Sequence, residues 1–341
     1  MIKDGIDFHN VEEMTETEKG WRMSRLPVSV TERMEEGASS VAAYGTGVEL
    51  RFKIRGDAAT IRLRAEEAAE AQTAYIYYGS FQGGWENSSR TILTQETALR
   101  VEKPKNLAFL KEVTQERGLA FNPEVVRVVL PYGTCCYLGV EGDVEAPSQE
   151  DYPSRTYLAY GSSITHGSLA LAMPCTYPFR IAQRFGCDYL NLGSAGSARA
   201  EKALAEYLVS RRDWDFASVE LGINMLEKYS RETFEERVRE FLAVLGADER
   251  PVFVTSIFGC FGSDPQKAAD FRSIVKKYAV GKRMVFTDGL ELLNDPAMIS
   301  QDLTHPSLEG IRQIAERWYG VMRERLNRQP AGRRSVPYSG G

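Results

Sequence analysis

The hydrophobic pattern of this chain changes its period near residue 150. Before that point, segments such as "VELRFKI" (48–54) and "TIRLRAE" (60–66) alternate apolar and polar residues, and Gly, Pro, Asn and Ser clusters separate them. After that point, short apolar runs alternate with segments of helical periodicity, such as "RETFEERVREFLAVLGA" (231–247). Period two is typical of antiparallel strands with one buried face, and the later pattern is typical of βα units. The two parts of the chain are therefore expected to fold differently.

We predict an all-β sandwich over residues 1–150 and an α/β domain, with a parallel sheet covered by helices on both faces, over residues 151–327. The polar segment "EAPSQEDYPS" (145–154), with two prolines, is the candidate linker between them. The tail 328–341 is polar and rich in Gly and Pro, and we expect it to be disordered.

Charge and composition exclude several classes of protein. The 341 residues carry a net charge of −5 with acidic and basic residues interleaved, which predicts neither a nucleic-acid partner nor a membrane surface. The first twenty residues lack the apolar core of a signal peptide. The odd count of five cysteines, without metal-ligand spacing, favours reduced thiols and a cytoplasmic location. We expect no metal and no cofactor, and the composition leaves room for a homo-oligomer.

Residues able to do chemistry follow the predicted parallel strands. Ligands of an open α/β sheet bind beyond the carboxyl ends of its strands, so these segments are expected to meet at one edge. The first three segments follow strands, and the fourth precedes the last helix. They are "GSS" (161–163), "GSAGSA" (193–198), "GIN" (222–224) and "DLTHP" (302–306).

Together these four segments resemble, in order, the sequence blocks of the SGNH hydrolase superfamily, also called GDSL-type esterases. The resemblance covers about residues 155–326. It implies a three-layer α/β/α, flavodoxin-like domain, and the β-rich front part resembles the jelly-roll-like domain of two-domain carbohydrate esterases. It also implies Ser163 as nucleophile, Asp302 and His305 as acid and base, and an oxyanion hole. The oxyanion donors would be the backbone N–H groups of Ser163 and Gly196 and the side chain of Asn224.

Two positions depart from the family pattern. Ser162 stands where the family has Asp before the nucleophile, and Met225 follows Asn224 where many members carry Asp. Neither position holds a catalytic group in the family, so the resemblance still implies an intact catalytic set.

The chemistry suits these residue types. A serine hydroxyl attacks an ester only when a base takes its proton, and imidazole can accept that proton and later donate it to the leaving alcohol. Among the three histidines, His305 has Asp302 three residues earlier, which can orient the ring, although a backbone carbonyl would be an alternative partner. His9 is interpreted as a packing or surface residue. His166 has three interpretations: a structural or pocket-wall residue, a substrate contact, or the base.

The substrate is less constrained by the sequence. We expect hydrolysis of a small acyl ester, acetyl above all, of a carbohydrate or related metabolite. The loop "SLALAMPCTYP" (168–178) is either an acyl pocket or a packing segment, and Trp85 in "YIYYGSFQGGW" (75–85) is the surface candidate for stacking on a sugar. A lysophospholipase, thioesterase or acyltransferase of the same superfamily is the alternative, and a non-catalytic carbohydrate-binding protein is the alternative of another class.

Overall fold

Two antiparallel sheets and one parallel sheet make up the structure, a computed structural model that describes residues 1–67 and 72–327. The antiparallel strands are β1 (Ile2–Lys3), β2 (Ile6–His9), β3 (Glu13–Thr17), β4 (Gly20–Ser24), β5 (Glu49–Ile54), β6 (Ala58–Ala65), β7 (Thr73–Tyr78), β8 (Phe81–Gln82), β9 (Ser89–Thr91), β10 (Thr97–Glu102), β11 (Val125–Val129), β12 (Cys135–Glu141) and β13 (Val144–Glu145). The parallel strands are β14 (Thr156–Tyr160), β15 (Asp188–Asn191), β16 (Phe216–Glu220), β17 (Val252–Thr255) and β18 (Met284–Thr287).

Ten α-helices lie between and after these strands in the described part of the chain. They are α1 (Val28–Thr31), α2 (Ala38–Ala42), α3 (Leu107–Arg117), α4 (Ser163–His166), α5 (Tyr177–Phe185), α6 (Lys202–Ser210), α7 (Arg231–Gly246), α8 (Pro265–Tyr278), α9 (Gly289–Leu292) and α10 (Leu308–Asn327). None of them is long and apolar enough to cross a bilayer.

The antiparallel part is a sandwich. One sheet has the order β1-β2-β5-β11-β7-β8, with β13 beside β5 and β9 beside β7, and the other has the order β10-β6-β12-β4-β3. Alternate residues of both sheets, such as Phe52 and Leu63, share one apolar core between them. This is the pairing that the period-two pattern predicts. The jelly-roll likeness and the boundary at residue 150 stay predictions.

The parallel sheet has the order β15-β14-β16-β17-β18. Along β14, Leu158 and Tyr160 pack into one core with α6, α7 and α8, whereas Tyr157 and Ala159 pack into the opposite core with α5 and α10. The sheet is therefore the middle of three layers. The second and third strands along the chain lie on opposite sides of the first, so β14 ends at the topological switch point where ligands bind in such sheets.

Several elements differ from the sequence-based expectation. Helix α3 and the short strands β1–β4 are additions to the strands that alternation predicted. Helix α3 buries none of its residues, so it lacks the apolar stripe that would predict a helix. The tail 328–341, predicted to be disordered, lies outside the described residues.

Candidate active site

Ser163 lies on the turn that follows β14. The side chain of Ser162 accepts a hydrogen bond from the Ile164 amide (3.2 Å) and so caps the single turn of α4, which Gly167 ends with a φ of 111°. Ser162 is buried and Ser163 is half-buried. The turn therefore holds Ser162 inward and presents Ser163 at the sheet edge.

His305 meets Ser163 from the loop before α10. The distance from Ser163 Oγ to His305 Nε2 is 2.7 Å, and the distance from His305 Nδ1 to Asp302 Oδ2 is 2.6 Å. A carboxylate only accepts, so Nδ1 carries the ring proton and the lone pair of Nε2 faces the hydroxyl; this tautomer is inferred from the bonding network. The three side chains thus form one continuous chain of hydrogen bonds.

Asp302 is fixed by its own loop. Its Oδ1 accepts from Ser300 Oγ (2.6 Å) and from the amides of Thr304 and His305 (both 2.9 Å). Partial burial alone would raise the pKa of Asp302, but the hydrogen bonds from Ser300, His305 and Thr304 outweigh it and hold the pKa well below its usual range. The Asp302 carboxylate therefore stays ionised at neutral pH.

Gly196 and Asn224 follow β15 and β16, the two strands beside β14. Gly196 is exposed, has a φ of 68°, and has no heavy atom within 4 Å of where a Cβ would be. The Asn224 Oδ1 accepts from the Ala198 amide at 3.1 Å, so the donor that this side chain can offer is its amide nitrogen. Both groups lie at the same sheet edge as Ser163, as the sequence predicts.

Glu220, the last residue of β16, was not singled out by sequence reasoning. Its side chain is fully buried, and its Oε2 accepts from the Ser162 amide (2.7 Å) and from Thr165 Oγ1 (3.2 Å). A carboxylate from the neighbouring strand thus lies beneath the turn that carries Ser162 and Ser163. Burial raises the pKa of Glu220. The only sequence signal was an acidic residue at the end of a mostly apolar strand.

His166 is not available as a base or a substrate contact in this structure. It is fully buried, and its ring packs against Tyr44 and Tyr132, with centroid distances of 5.3 and 4.5 Å. Burial lowers its pKa well below the usual range, so it is neutral. Its predicted role as a substrate contact is therefore corrected to a structural role, the first of the three interpretations given above.

The other candidate contacts divide according to exposure. Trp85 is fully exposed in the loop between β8 and β9, and its part in substrate binding stays a prediction. In the loop after α4, Leu169 and Leu171 face solvent while Met173 is buried, so the segment both packs and presents apolar side chains. His9 is an interface residue, with Nε2 at 2.7 Å from the Tyr189 carbonyl oxygen.

The site is open to solvent. The side chain of His305 is 23% exposed and that of Asp302 is 41% exposed. Within the described residues no cluster of His, Cys, Asp or Glu has the arrangement of a metal site. The arrangement can therefore support proton transfer from a serine hydroxyl with water close by.

Solved structures share this fold over nearly the whole chain. The salicylyl-acyltransferase SsfX3 from a tetracycline biosynthetic pathway superposes with a TM-score of 0.74 at 17% identity, covering 96% of each chain. A protein described as a GDSL-like lipase, from Bacteroides ovatus ATCC 8483, gives 0.64 at 17% identity, covering 94% of this chain and 98% of that one. A family two carbohydrate esterase from Cellvibrio japonicus gives 0.62 at 12% identity, covering 95% and 96%.

No protein-family model matches the chain, and no curated protein matches it in sequence. The likeness therefore rests on tertiary structure, and at these identities it establishes the fold. The chain has the fold of the SGNH hydrolase superfamily, the GDSL-type esterases that its four sequence blocks resemble.

Proposed function

We propose that the protein is a serine esterase that uses Ser163 as nucleophile and His305 as general base and acid. Asp302 orients the imidazole ring and stabilises the imidazolium that forms. The observation that carries the proposal is the chain of hydrogen bonds from Ser163 Oγ through His305 to Asp302, at 2.7 and 2.6 Å. Similarity to esterases, a lipase and an acyltransferase of the same fold supports acyl transfer as the reaction class.

The proposed reaction has two halves. Ser163 Oγ attacks the ester carbonyl carbon as its proton moves to His305 Nε2. Hydrogen bonds from the Ser163 and Gly196 amides and from the Asn224 side chain then stabilise the negative charge on the carbonyl oxygen. Collapse breaks the ester bond, and His305 returns the proton to the leaving alcohol. Water then attacks the acyl-serine by the same route and releases the acid. Asp302, whose pKa is held low, stays ionised and stabilises the imidazolium.

We further propose a small acyl group, acetyl above all, on a carbohydrate or related metabolite. Support comes from the fold shared with a family two carbohydrate esterase and from the exposed ring of Trp85. A cytoplasmic location is part of this proposal and would suit short imported oligosaccharides. Acetylated sugars with product detection by mass spectrometry, beside p-nitrophenyl esters of rising chain length, test it. A marked preference for long chains would instead indicate a lipase or thioesterase.

Acyl transfer to another alcohol is the second candidate, favoured by the TM-score of 0.74 with an acyltransferase over 96% of both chains. The exposure of His305 and Asp302 argues for hydrolysis, since water reaches the acyl-enzyme. Adding acceptor alcohols and measuring the ratio of transfer to hydrolysis distinguishes the two reactions.

Ser163→Ala should abolish turnover of p-nitrophenyl acetate and labelling by a fluorophosphonate, because the attacking oxygen is gone. Ser273→Ala, on the exposed face of α8, is the matched control and should leave both unchanged. Peptide mapping of the labelled wild type should find Ser163. Label on Ser162, or a wild type that reacts with no activated ester or phosphonate, would contradict the assignment, and the latter would favour a binding protein.

A further inference from the structure

Arg25 is a buried cation at the interface between the sandwich and the α/β part. It directly follows β4 and is 2% exposed. Within the described parts of the chain, its guanidinium donates only to backbone carbonyls. These are Tyr44 (Nε, 3.1 Å), Val41 (Nη2, 2.6 Å), Asn191 (Nη1, 2.9 Å) and Gly193 (Nη1, 3.0 Å).

The absence of a counter-ion makes Arg25 unusual among the buried arginines. Arg51 pairs with Glu49 and Asp188, and Arg127 pairs with Glu49, whereas no carboxylate pairs with Arg25 among residues 1–67 and 72–327. Burial lowers the pKa of Arg25 to about 10, so it remains a cation at neutral pH. Burying a charge costs free energy unless polar groups replace the lost hydration, and here hydrogen bonds to four backbone carbonyls do so. The geometry of those carbonyls is therefore tied to the guanidinium.

Two of the four carbonyls lie on the way to Gly196: Asn191 is the last residue of β15, and Gly193 belongs to the loop that follows it. The Gly193 carbonyl also accepts from His166 Nδ1 at 2.9 Å, and the Asn191 carbonyl also accepts from Asn10 Nδ2 at 3.0 Å. The Asn191 side chain in turn donates to the Thr165 carbonyl in α4 (2.9 Å) and accepts from the Gly193 amide (2.8 Å). The loop is thus fixed on one side by the nucleophile turn and on the other by the sandwich.

The loop continues directly into the predicted oxyanion donors. The Ser194 amide donates to the Gly161 carbonyl (2.8 Å), the Ser197 amide donates to the Ser194 carbonyl (3.0 Å), and the Ala198 amide holds Asn224 (3.1 Å). A shift of Gly193 would therefore move both Gly196 and Asn224 relative to Ser163.

We propose that Arg25, supplied by the sandwich part of the chain, is a positioning residue for the oxyanion hole. The inference rests on the proposed esterase function and assigns to the sandwich an indirect part in the reaction, through the position of the oxyanion donors. Displacing preorganised groups by about 1 Å can cost about 10²-fold in rate, so the loss should appear in kcat.

The test compares two conservative substitutions at opposite ends of β15. Arg25→Lys keeps the charge but loses the planar set of donors to Asn191 and Gly193. Arg51→Lys is the matched control, because Arg51 is buried at the same interface but binds Asp188, at the start of the strand. We expect Arg25→Lys to lower kcat by about 10- to 100-fold with little change in KM. Arg51→Lys should lower the unfolding temperature and leave kcat within about twofold.

A boronic acid inhibitor supplies the readout that a merely structural role would not change. Its tetrahedral adduct with Ser163 places an oxygen in the oxyanion hole, so Arg25→Lys should weaken its binding about as much as it lowers kcat/KM. Folded Arg25→Lys with wild-type kcat and boronate affinity would overturn the inference, as would an equal kcat loss in Arg51→Lys.

Should Arg25→Lys fail to fold, Asn10→Ala keeps the inference testable, because it removes the other donor to the Asn191 carbonyl. It should lower kcat severalfold in the same direction, and unchanged kcat would overturn the inference. Wild-type activity that Ser163→Ala abolishes establishes the esterase separately. Failure of the Arg25 inference therefore leaves the proposed function standing, and an inactive wild type contradicts the function itself.

Discussion

At the scale of single residues, Asn224 gives the sharpest prediction. Its Oδ1 is held by the Ala198 amide, so the side chain presents its amide nitrogen as a donor. Asn224→Ala should fold normally and lower kcat on p-nitrophenyl acetate by about 10²–10³, the usual cost of one oxyanion donor. Circular dichroism controls for folding. Turnover close to that of the wild type would remove Asn224 from the oxyanion hole.

Glu220 predicts an unusual dependence of stability on pH. Burial raises its folded-state pKa above the ordinary 4.5, so its contribution to stability is complete below about pH 4.5 and is lost as pH rises through the folded-state pKa. Glu220→Gln cannot ionise. Its free energy of unfolding should therefore increase relative to that of the wild type as pH rises above 4.5, as measured by urea denaturation.

Glu49 is the matched control with the opposite sign. Burial alone would raise the pKa of this carboxyl, but Arg127 and Arg51 lower it from 4.5 to about 2. Its stabilisation is present above pH 4.5 and is lost as pH falls toward 2, so Glu49→Gln should be most destabilising at neutral pH. A Glu220→Gln difference that stays constant with pH would contradict the assignment of a raised pKa.

The sequence located residues at the site unequally well. Ser163 was predicted from the resemblance of "GSS" to a family block, and His305 from the same resemblance together with Asp302 three residues earlier. Glu220 could not be found in this way, because a carboxylate inside a strand acquires meaning only when a neighbouring strand supplies its partner, the Ser162 amide. His166 was ambiguous for the same reason: Tyr44 and Tyr132, which enclose it, lie far away in sequence.

At the scale of elements, the loop after β15 packs tightly on α4. A Cβ at Gly193 would lie 2.3 Å from the His166 amide nitrogen and 2.6 Å from its Cα, both backbone atoms that have little room to move. Gly193→Ala should therefore destabilise the fold by about 1–3 kcal/mol and lower kcat/KM, because the loop must move away from the turn that carries Ser163. Gly56→Ala, where nothing lies within 4 Å, is the control that should change neither quantity.

Elements with a regular hydrophobic period could be predicted, and elements without one could not. All five parallel strands lie in the short apolar runs of the second part of the chain, and α7 lies in the segment 231–247 of helical periodicity, where it buries Phe234, Val238 and Phe241. Strands β1 and β3 bury no residue and therefore leave no alternating signal. They are specified by pairing with their neighbours.

At the scale of the whole molecule, buried charges join the two parts of the chain. Arg51 in β5 donates to both carboxylate oxygens of Asp188 in β15 at 2.6 Å, and Asp188 is almost fully buried. Asp188→Asn removes one of the two carboxylates that pair with the Arg51 guanidinium, while Glu49 remains. It should cost about 3 kcal/mol of unfolding free energy, the lower end of the cost of breaking a buried ion pair. The measurement is a urea melt of the full chain.

The exposed pair of Glu309 and Arg312 on α10 provides the comparison. Glu309→Gln should leave the urea midpoint unchanged, because solvent screens that pair. Equal urea midpoints for Asp188→Asn and the wild type would show that the buried pair of Arg51 and Asp188 does not stabilise the contact between the two parts.

The sequence by itself determined the period of each segment, and with it the sandwich, the parallel sheet and the order of the four site segments, because periodicity and turn chemistry are local properties of the chain. The tertiary structure alone decided what surrounds those segments. Arg25 reaches the Gly193 carbonyl across 168 residues, and Glu220 reaches the Ser162 amide across 58. Such contacts depend on which strands become neighbours and on which polar groups burial forces to pair, and a pattern read along the chain contains neither.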